Sequence, residues 1–192
     1  MNAQQAILAI VFAILIALAA QVSMPVPGLA IPITLQTVAV LVAGAVLGTN
    51  GAGFAVVLYL LMGTLGLGVF ANGASGGSTL FGPSGGYLLG FWFAAVALGY
   101  AADRGYLWRV PILLPVWMLA AHAMILVVGA GLLSFSVGAP AAWFNGVAPF
   151  LPGAIVKSVA AAILAAAIHY SLNRRTTGDR GGRYGETAEQ DR

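Results

Sequence analysis

PITLQTVAVLVAGAVLG-TN-GAGFAVVLYLLMGTLGLG, Pro32–Gly68, decides the fold. Two apolar runs, Pro32–Gly48 and Gly51–Gly68, are separated only by Thr49-Asn50. Each run is continuous, rich in Ala, Leu and Val, and free of the alternation that a membrane barrel strand requires. Helices therefore win over strands. Two polar residues between two such runs make a tight antiparallel connection. The surroundings extend the pattern, since no Asp, Glu, Lys or Arg occurs from Met1 to Ala102. Across all 192 residues, 60% are hydrophobic and 7% charged, whereas soluble domains carry about 25% charged residues. The reading is an all-α integral membrane protein.

About 20 mostly apolar residues cross the hydrocarbon core. With Pro, Gly and polar breaks as boundaries, six transmembrane helices are expected: Gln5–Gln21, Pro32–Gly48, Gly51–Gly68, Gly85–Ala102, Val110–Leu133 and Pro149–Leu172. Six crossings put both termini on one side, together with Arg104, Arg109, Arg174 and Arg175. The positive-inside rule makes that side the cytoplasm. The outer connections, Val22–Ile31, Val69–Ser84 and Ser134–Ala148, carry no charge. Residues 1–172 form one transmembrane domain, and 173–192, polar and mixed in charge, read as a disordered cytoplasmic tail. Ala17-Leu18-Ala19 resembles a signal cleavage site, but Met-Asn-Ala-Gln-Gln before the apolar run lacks a positive charge, so a retained first helix is expected.

Composition also excludes functions. The net charge of +3 does not arise from a basic folded face, so nucleic acid is not an expected partner. Zero cysteines exclude disulfides and thiolate metal sites. No GxxxxGK[ST] motif occurs, because Gly153-Ala-Ile-Val-Lys157-Ser158 lacks the required second glycine. His122 and His169 fall on separate spans with no carboxylate beside them, so neither a metal pair nor a proton relay is expected. No Ser/His/Asp set can be assembled either. No catalytic residue, metal or cofactor is expected, and the chain is not read as an enzyme.

What remains points to ligand capture. Gly63–Gly90, GTLGLGVFANGASGGSTLFGPSGGYLLG, contains ten of the 26 glycines. It combines neutral hydrogen-bonding groups (Asn72, Ser75, Ser78, Thr79, Ser84) with aromatic surface (Phe70, Phe81, Tyr87) and has no charge. That inventory suits a small, uncharged, polar ring system. Lys157 lies five positions after Pro152, about 7.5 Å below the outer helix end at 1.5 Å per residue. No carboxylate exists in any outer loop or outer half-span to pair with it. An intramembrane charge is a functional candidate by default, with snorkelling to the interface as the alternative. Ala9, Ala13 and Ala17 recur every four residues, a strip that permits close helix approach either within the chain or to a partner.

Three segments resemble the BioY family, the biotin-specific substrate-binding (S) components of energy-coupling factor transporters. They are Pro32-Ile-Thr34-Leu-Gln36-Thr; Tyr59-Leu-Leu-Met-Gly63 through Val69-Phe70-Ala-Asn72-Gly to Gly82-Pro-Ser-Gly-Gly-Tyr87-Leu-Leu-Gly-Phe91; and Pro149-Phe-Leu-Pro-Gly153-Ala-Ile-Val-Lys157. The resemblance implies six helices with both termini inside a bacterial inner membrane, and outer loops closing over a substrate site. It implies biotin as ligand, and as partners a transmembrane coupling protein and two ATPase subunits besides membrane lipid. Asn72 and Lys157 fall on positions that line the biotin site in the family. Phe70, Tyr87, Thr34 and Gln36 lie in the resembling segments and complete the expected substrate-binding set. Ala9, Ala13 and Ala17 occupy the kind of strip that docks on the coupling protein. One position departs: Ala154 stands where the family commonly has an acid, as PGDxxK. The rival readings are an S component for another vitamin and a structural membrane protein without a ligand. A cationic vitamin would be repelled by Lys157.

Overall fold

The computed structural model describes residues 2–29 and 31–190, with side chains as far as Leu172. Helix α1 spans Ala3–Gln21. Asn2 and Gln5 cap it reciprocally, each side-chain oxygen accepting the other residue's backbone N–H, which satisfies two groups at the helix entry. Its inward face is Ala9, Phe12, Ala13, Ile16, Ala17 and Ala20, spaced by threes and fours. Ile7, Ile10, Val11, Ile14 and Leu18 are exposed on the other side.

This face bears on one expectation, the docking strip of Ala9, Ala13 and Ala17. Ala9, Ala13 and Ala17 are 0%, 0% and 9% exposed, and α1 packs along the next long helix. The small side chains let two helices of the same chain approach closely. In the chain alone this strip is covered by its own neighbours.

After α1 the chain makes a short antiparallel pair, β1 (Ser23–Met24) with β2 (Ile33–Thr34), in the register Ser23 to Thr34 and Met24 to Ile33. Helix α2, Gln36–Thr64, follows. Inside it Gly48 has φ 71° and ψ −179°, a conformation closed to other residues without strain. On a straight helix Gln36 and Tyr59 would lie about 34 Å apart, yet the Gln36 amide donates a hydrogen bond to the Tyr59 hydroxyl. The two arms of α2 therefore fold back on each other at Gly48. Asp103 closes the bend: one carboxylate oxygen accepts from the Thr49 backbone N–H at 2.9 Å and from its hydroxyl at 2.6 Å. A carboxylate at the start of the second arm also suits the helix dipole.

The remaining elements are α3 (Gly77–Leu80), α4 (Gly85–Asp103), α5 (Tyr106–Arg109), α6 (Leu114–Val137), α7 (Ala139–Gly146) and α8 (Leu151–Gln190). Helix α4 is central, packed on α2 and on α6. A Cβ at Gly99 would lie 2.5 Å from the Gly48 carbonyl carbon, and one at Gly90 would lie 3.0 Å from Ile125 Cα. Both crossings depend on the missing side chain.

Five helical stretches among the described residues are long and apolar enough to cross a membrane: Ala3–Gln21, Gln36–Thr64, Gly85–Asp103, Pro111–Val137 and Ala139–Leu172. The two short spans expected at Pro32–Gly48 and Gly51–Gly68 are the two arms of α2, with the bend one residue before Thr49-Asn50. The stretch expected as an open outer loop, Ser134–Ala148, is instead largely helical, because α6 runs on to Val137 and α7 fills Ala139–Gly146. The expected disordered tail, 173–192, falls outside the residues whose side chains are described.

The two ends of the bundle differ. Gln5, Gly48, Asp103, Trp108 and His169 surround a small cavity of about 260 Å³ at one end. There Trp108 and His169 stack at 3.8 Å, and Arg104 and Arg109 lie over Tyr100 and Tyr106. The start of α4, about 27 Å away along its axis, reaches the other end.

Candidate functional site

That second end holds a cavity of about 280 Å³. All six residues expected to bind substrate line it: Thr34, Gln36, Phe70, Asn72, Tyr87 and Lys157. They come from the β1–β2 pair, the loop after α2, and helices α2, α4 and α8, so only the folded chain brings them together.

The β1–β2 pair presents the Thr34 carbonyl, which accepts a 2.8 Å hydrogen bond from Lys157 Nζ. Lys157 has no carboxylate partner on the cavity, as the sequence led us to expect, but it is not unpaired. An ammonium has three N–H donors, and the carbonyl occupies one. Ala154, one turn earlier on α8, is buried and supplies no polar group. The start of α2 places Gln36 and Thr37 on the same wall, both nearly enclosed. The Gln36 amide is tied to Tyr59, while Thr37 Oγ1 is buried without a hydrogen-bond partner among the described residues.

The loop after α2 is anchored rather than loose. Phe70 is buried edge-on to Tyr59, with ring centroids 5.5 Å apart. Its ring occupies the space where a Gly63 Cβ would stand. Gln21, at the end of α1, donates to the carbonyls of Val69 and Phe70 and accepts from the Gly73 N–H. The Ser23 hydroxyl donates to Asn72 Oδ1 at 2.6 Å. Asn72 has φ 59°, the left-handed region that asparagine tolerates better than most residues. The connections after α1 and after α2 thus meet beside the cavity.

The far wall comes from α4, α6 and α8. Tyr87 packs into the space left by Gly129 and donates its hydroxyl to the Gly146 carbonyl at 2.8 Å. Phe150 stands 6.2 Å from it, ring to ring. His122 lines the cavity, with Nδ1 3.3 Å from Ser158 Oγ. His122, to which the sequence assigned no chemical role, is buried and also faces the site. Thr37 was not singled out. Its signal was its position beside Gln36 in the first turn of α2. His169, the other histidine, stacks on Trp108 at the opposite end. No aspartate or glutamate lines the cavity, and no cluster of metal-ligating side chains occurs among the described residues. The arrangement can hold a small ring between aromatic walls and satisfy a few polar atoms, one of them with a cation.

A family model described as the BioY family matches residues 1–174. Biotin transporter BioY2 of Lactococcus lactis subsp. cremoris is 33% identical over 145 residues, covering 74% of this chain and 79% of its own. The probable biotin transporter BioY of Pyrococcus horikoshii is 32% identical and covers 86% of this chain and 96% of its own. Among solved structures, the S-component for biotin from an ECF-type ABC transporter superposes with a TM-score of 0.79 at 22% identity, covering 88% of this chain and 95% of its own. That likeness bears on the fold.

Proposed function

The chain belongs to the BioY family, and from that premise we infer that it captures biotin as the substrate-binding subunit of an energy-coupling factor transporter. It is a transport component and not an enzyme. The observation that carries the reading is the convergence of Thr34, Gln36, Phe70, Asn72, Tyr87 and Lys157 on one cavity. Biotin presents a neutral ureido ring, an apolar thioether ring and tail, and one carboxylate. The cavity offers aromatic walls, neutral hydrogen-bonding groups and a single ammonium. Its volume lies near the lower end of the roughly 300–1,000 Å³ found for small-ligand sites.

Several finer statements rest on this reading. The protein crosses the membrane six times, with the arms of α2 as two short crossings. The fold-back at Gly48 supports this count. The Arg104–Arg109 end faces the cytoplasm together with both termini, supported by the basic asymmetry, and the ligand cavity then faces outward. The first arm of α2 rises about 18 Å from Gly48 to Gln36, less than the roughly 30 Å hydrocarbon core. The site therefore lies within the outer half of the membrane, under the joined connections after α1 and α2. As the family resemblance implies, delivery inward takes a transmembrane coupling protein and two ATPase subunits.

Retention of radiolabelled biotin by the purified chain in detergent tests the reading. Saturable binding that excess thiamine and riboflavin do not displace is expected. Absence of biotin retention, or displacement by either vitamin, would overturn it.

A further inference from the structure

Two hydroxyl protons on the ligand cavity are already spent: Tyr87 donates to the Gly146 carbonyl and Thr79 to the Ser75 carbonyl. His122 differs. It lines the cavity from α6, is 2% exposed, and places Nδ1 3.3 Å from Ser158 Oγ on α8. Nε2, the other ring nitrogen, has no protein partner among the described residues and keeps accessible surface. With His122 on the wall, that nitrogen opens on the cavity. Ser158 settles where the ring proton sits. Its hydroxyl is buried and has no other hydrogen-bond partner among the described residues, so its proton goes to Nδ1. Accepting from Nδ1 instead would strand a buried donor, which folded proteins avoid. The bond at one ring nitrogen fixes the state of the other, so the imidazole carries its proton on Nε2 and presents an N–H donor to the cavity.

Depth separates this donor from Lys157. The Lys157 Nζ reaches to the Thr34 carbonyl, in the strand pair just before α2 begins. Ser158, which holds the imidazole, lies about 10 Å along α8 from Leu151 at 1.5 Å per residue. The ammonium therefore serves the upper part of the cavity and the imidazole its floor. Of biotin's groups, the carboxylate is the costliest to take out of water, so it stays toward the opening while the neutral ring goes deepest. The ring brings one strong acceptor to the floor, its ureido carbonyl. Resting on the biotin reading above, we propose that His122 Nε2–H donates to the ureido carbonyl oxygen of bound biotin, and that Ser158 is the positioning residue that holds the imidazole in the donating tautomer. The site then selects for an oxygen at that point of the ring, because a ligand without one leaves the buried N–H unpaired.

Calorimetric titration of the purified full chain tests this with three ligands: biotin, its thiourea analogue, whose sulfur accepts weakly, and biotin amide. Wild type is compared with the double variant His122→Leu, Ser158→Ala, which removes the N–H without stranding the serine hydroxyl. The double variant should bind biotin about ten-fold more weakly, the scale of one hydrogen bond. Wild type should prefer biotin over the thiourea analogue more strongly than the variant does, whereas the change on going to biotin amide should be equal in both. Nitrogen NMR of histidine-labelled protein, with His169→Gln to assign the signals, reads the tautomer directly. The free protein should show His122 protonated at Nε2, and biotin should shift that N–H. This arm needs no change at His122, so it decides even if the double variant does not fold. Unchanged biotin affinity in the variant, equal preference against the thiourea analogue, unequal changes toward biotin amide, a ring proton on Nδ1, or a His122 signal that biotin leaves in place would each overturn the assignment. A wild-type chain that binds no biotin at all would instead remove the functional reading on which it rests.

Discussion

At the residue scale, Lys157 couples two tasks. It holds the β1–β2 pair through the Thr34 carbonyl and leaves further N–H donors at the cavity. A charge at this depth is costly without polar partners, and one carbonyl does not satisfy an ammonium. Lys157→Met keeps the length and removes the charge, so biotin affinity should fall about ten- to a hundred-fold by titration. Unchanged affinity would leave snorkelling as the explanation. Biotin amide identifies the contacted group. If Lys157 meets the carboxylate, wild type should bind the amide poorly while the methionine variant binds both ligands alike. If it meets the ureido oxygen, both ligands should lose equally. Lys157 was legible in the sequence because an isolated charge in an apolar span is conspicuous. Its carbonyl partner was not legible, since the pairing joins residues 34 and 157 and depends on the short strand pair between α1 and α2.

At the scale of elements, α1 both packs and latches. Ala13 is fully covered by the chain itself, so Ala13→Leu forces added volume between α1 and α2. Overpacking typically costs about 1–3 kcal/mol, and the variant should melt at a lower temperature in detergent even without any partner subunit. An unchanged melting point would mean that the strip faces outward after all. At the other end of α1, Gln21 makes three hydrogen bonds to the backbone at Val69, Phe70 and Gly73. Gln21→Leu removes all three, so bound biotin should dissociate faster, measured by chase with unlabelled ligand, while the association rate changes little. An unaltered dissociation rate would contradict a closing role for this contact. The spacing of Ala9, Ala13 and Ala17 showed that a close helix contact exists, but not with which neighbour. A small-residue strip looks the same from either side, and only the burial of the opposite face decides. The bend in α2 was more legible: two apolar runs separated by two residues cannot both cross in one direction. The exact bend residue was less so, because Gly48 and Gly51 flank Thr49-Asn50 symmetrically and Asp103, distant in sequence, fixes which one turns.

For the whole molecule, the separation of chemistry between the two ends is the main organising feature. Asp103, Arg104, Arg109 and the stacked Trp108–His169 pair mark one end, and an almost charge-free cavity marks the other. Single cysteines test how this axis sits in the membrane. In intact cells an impermeant thiol reagent should label Ser78→Cys, while Arg104→Cys should react only after permeabilisation; the reverse pattern would invert the topology. The site's composition was readable because charge-free glycine- and aromatic-rich loops are rare. Its assembly was not, because Gln36, Asn72, Tyr87, His122 and Lys157 belong to separate elements and meet only through the fold-back at Gly48 and the packing of α4 between α2 and α6. The most direct test of that assembly is an experimental structure of the chain with biotin bound. The ureido ring should be enclosed between the Gln36–Thr37 turn, Phe70 and Tyr87, with a biotin oxygen about 3 Å from Lys157 Nζ. Biotin bound elsewhere, or lying in this cavity without contact to Lys157, would contradict it.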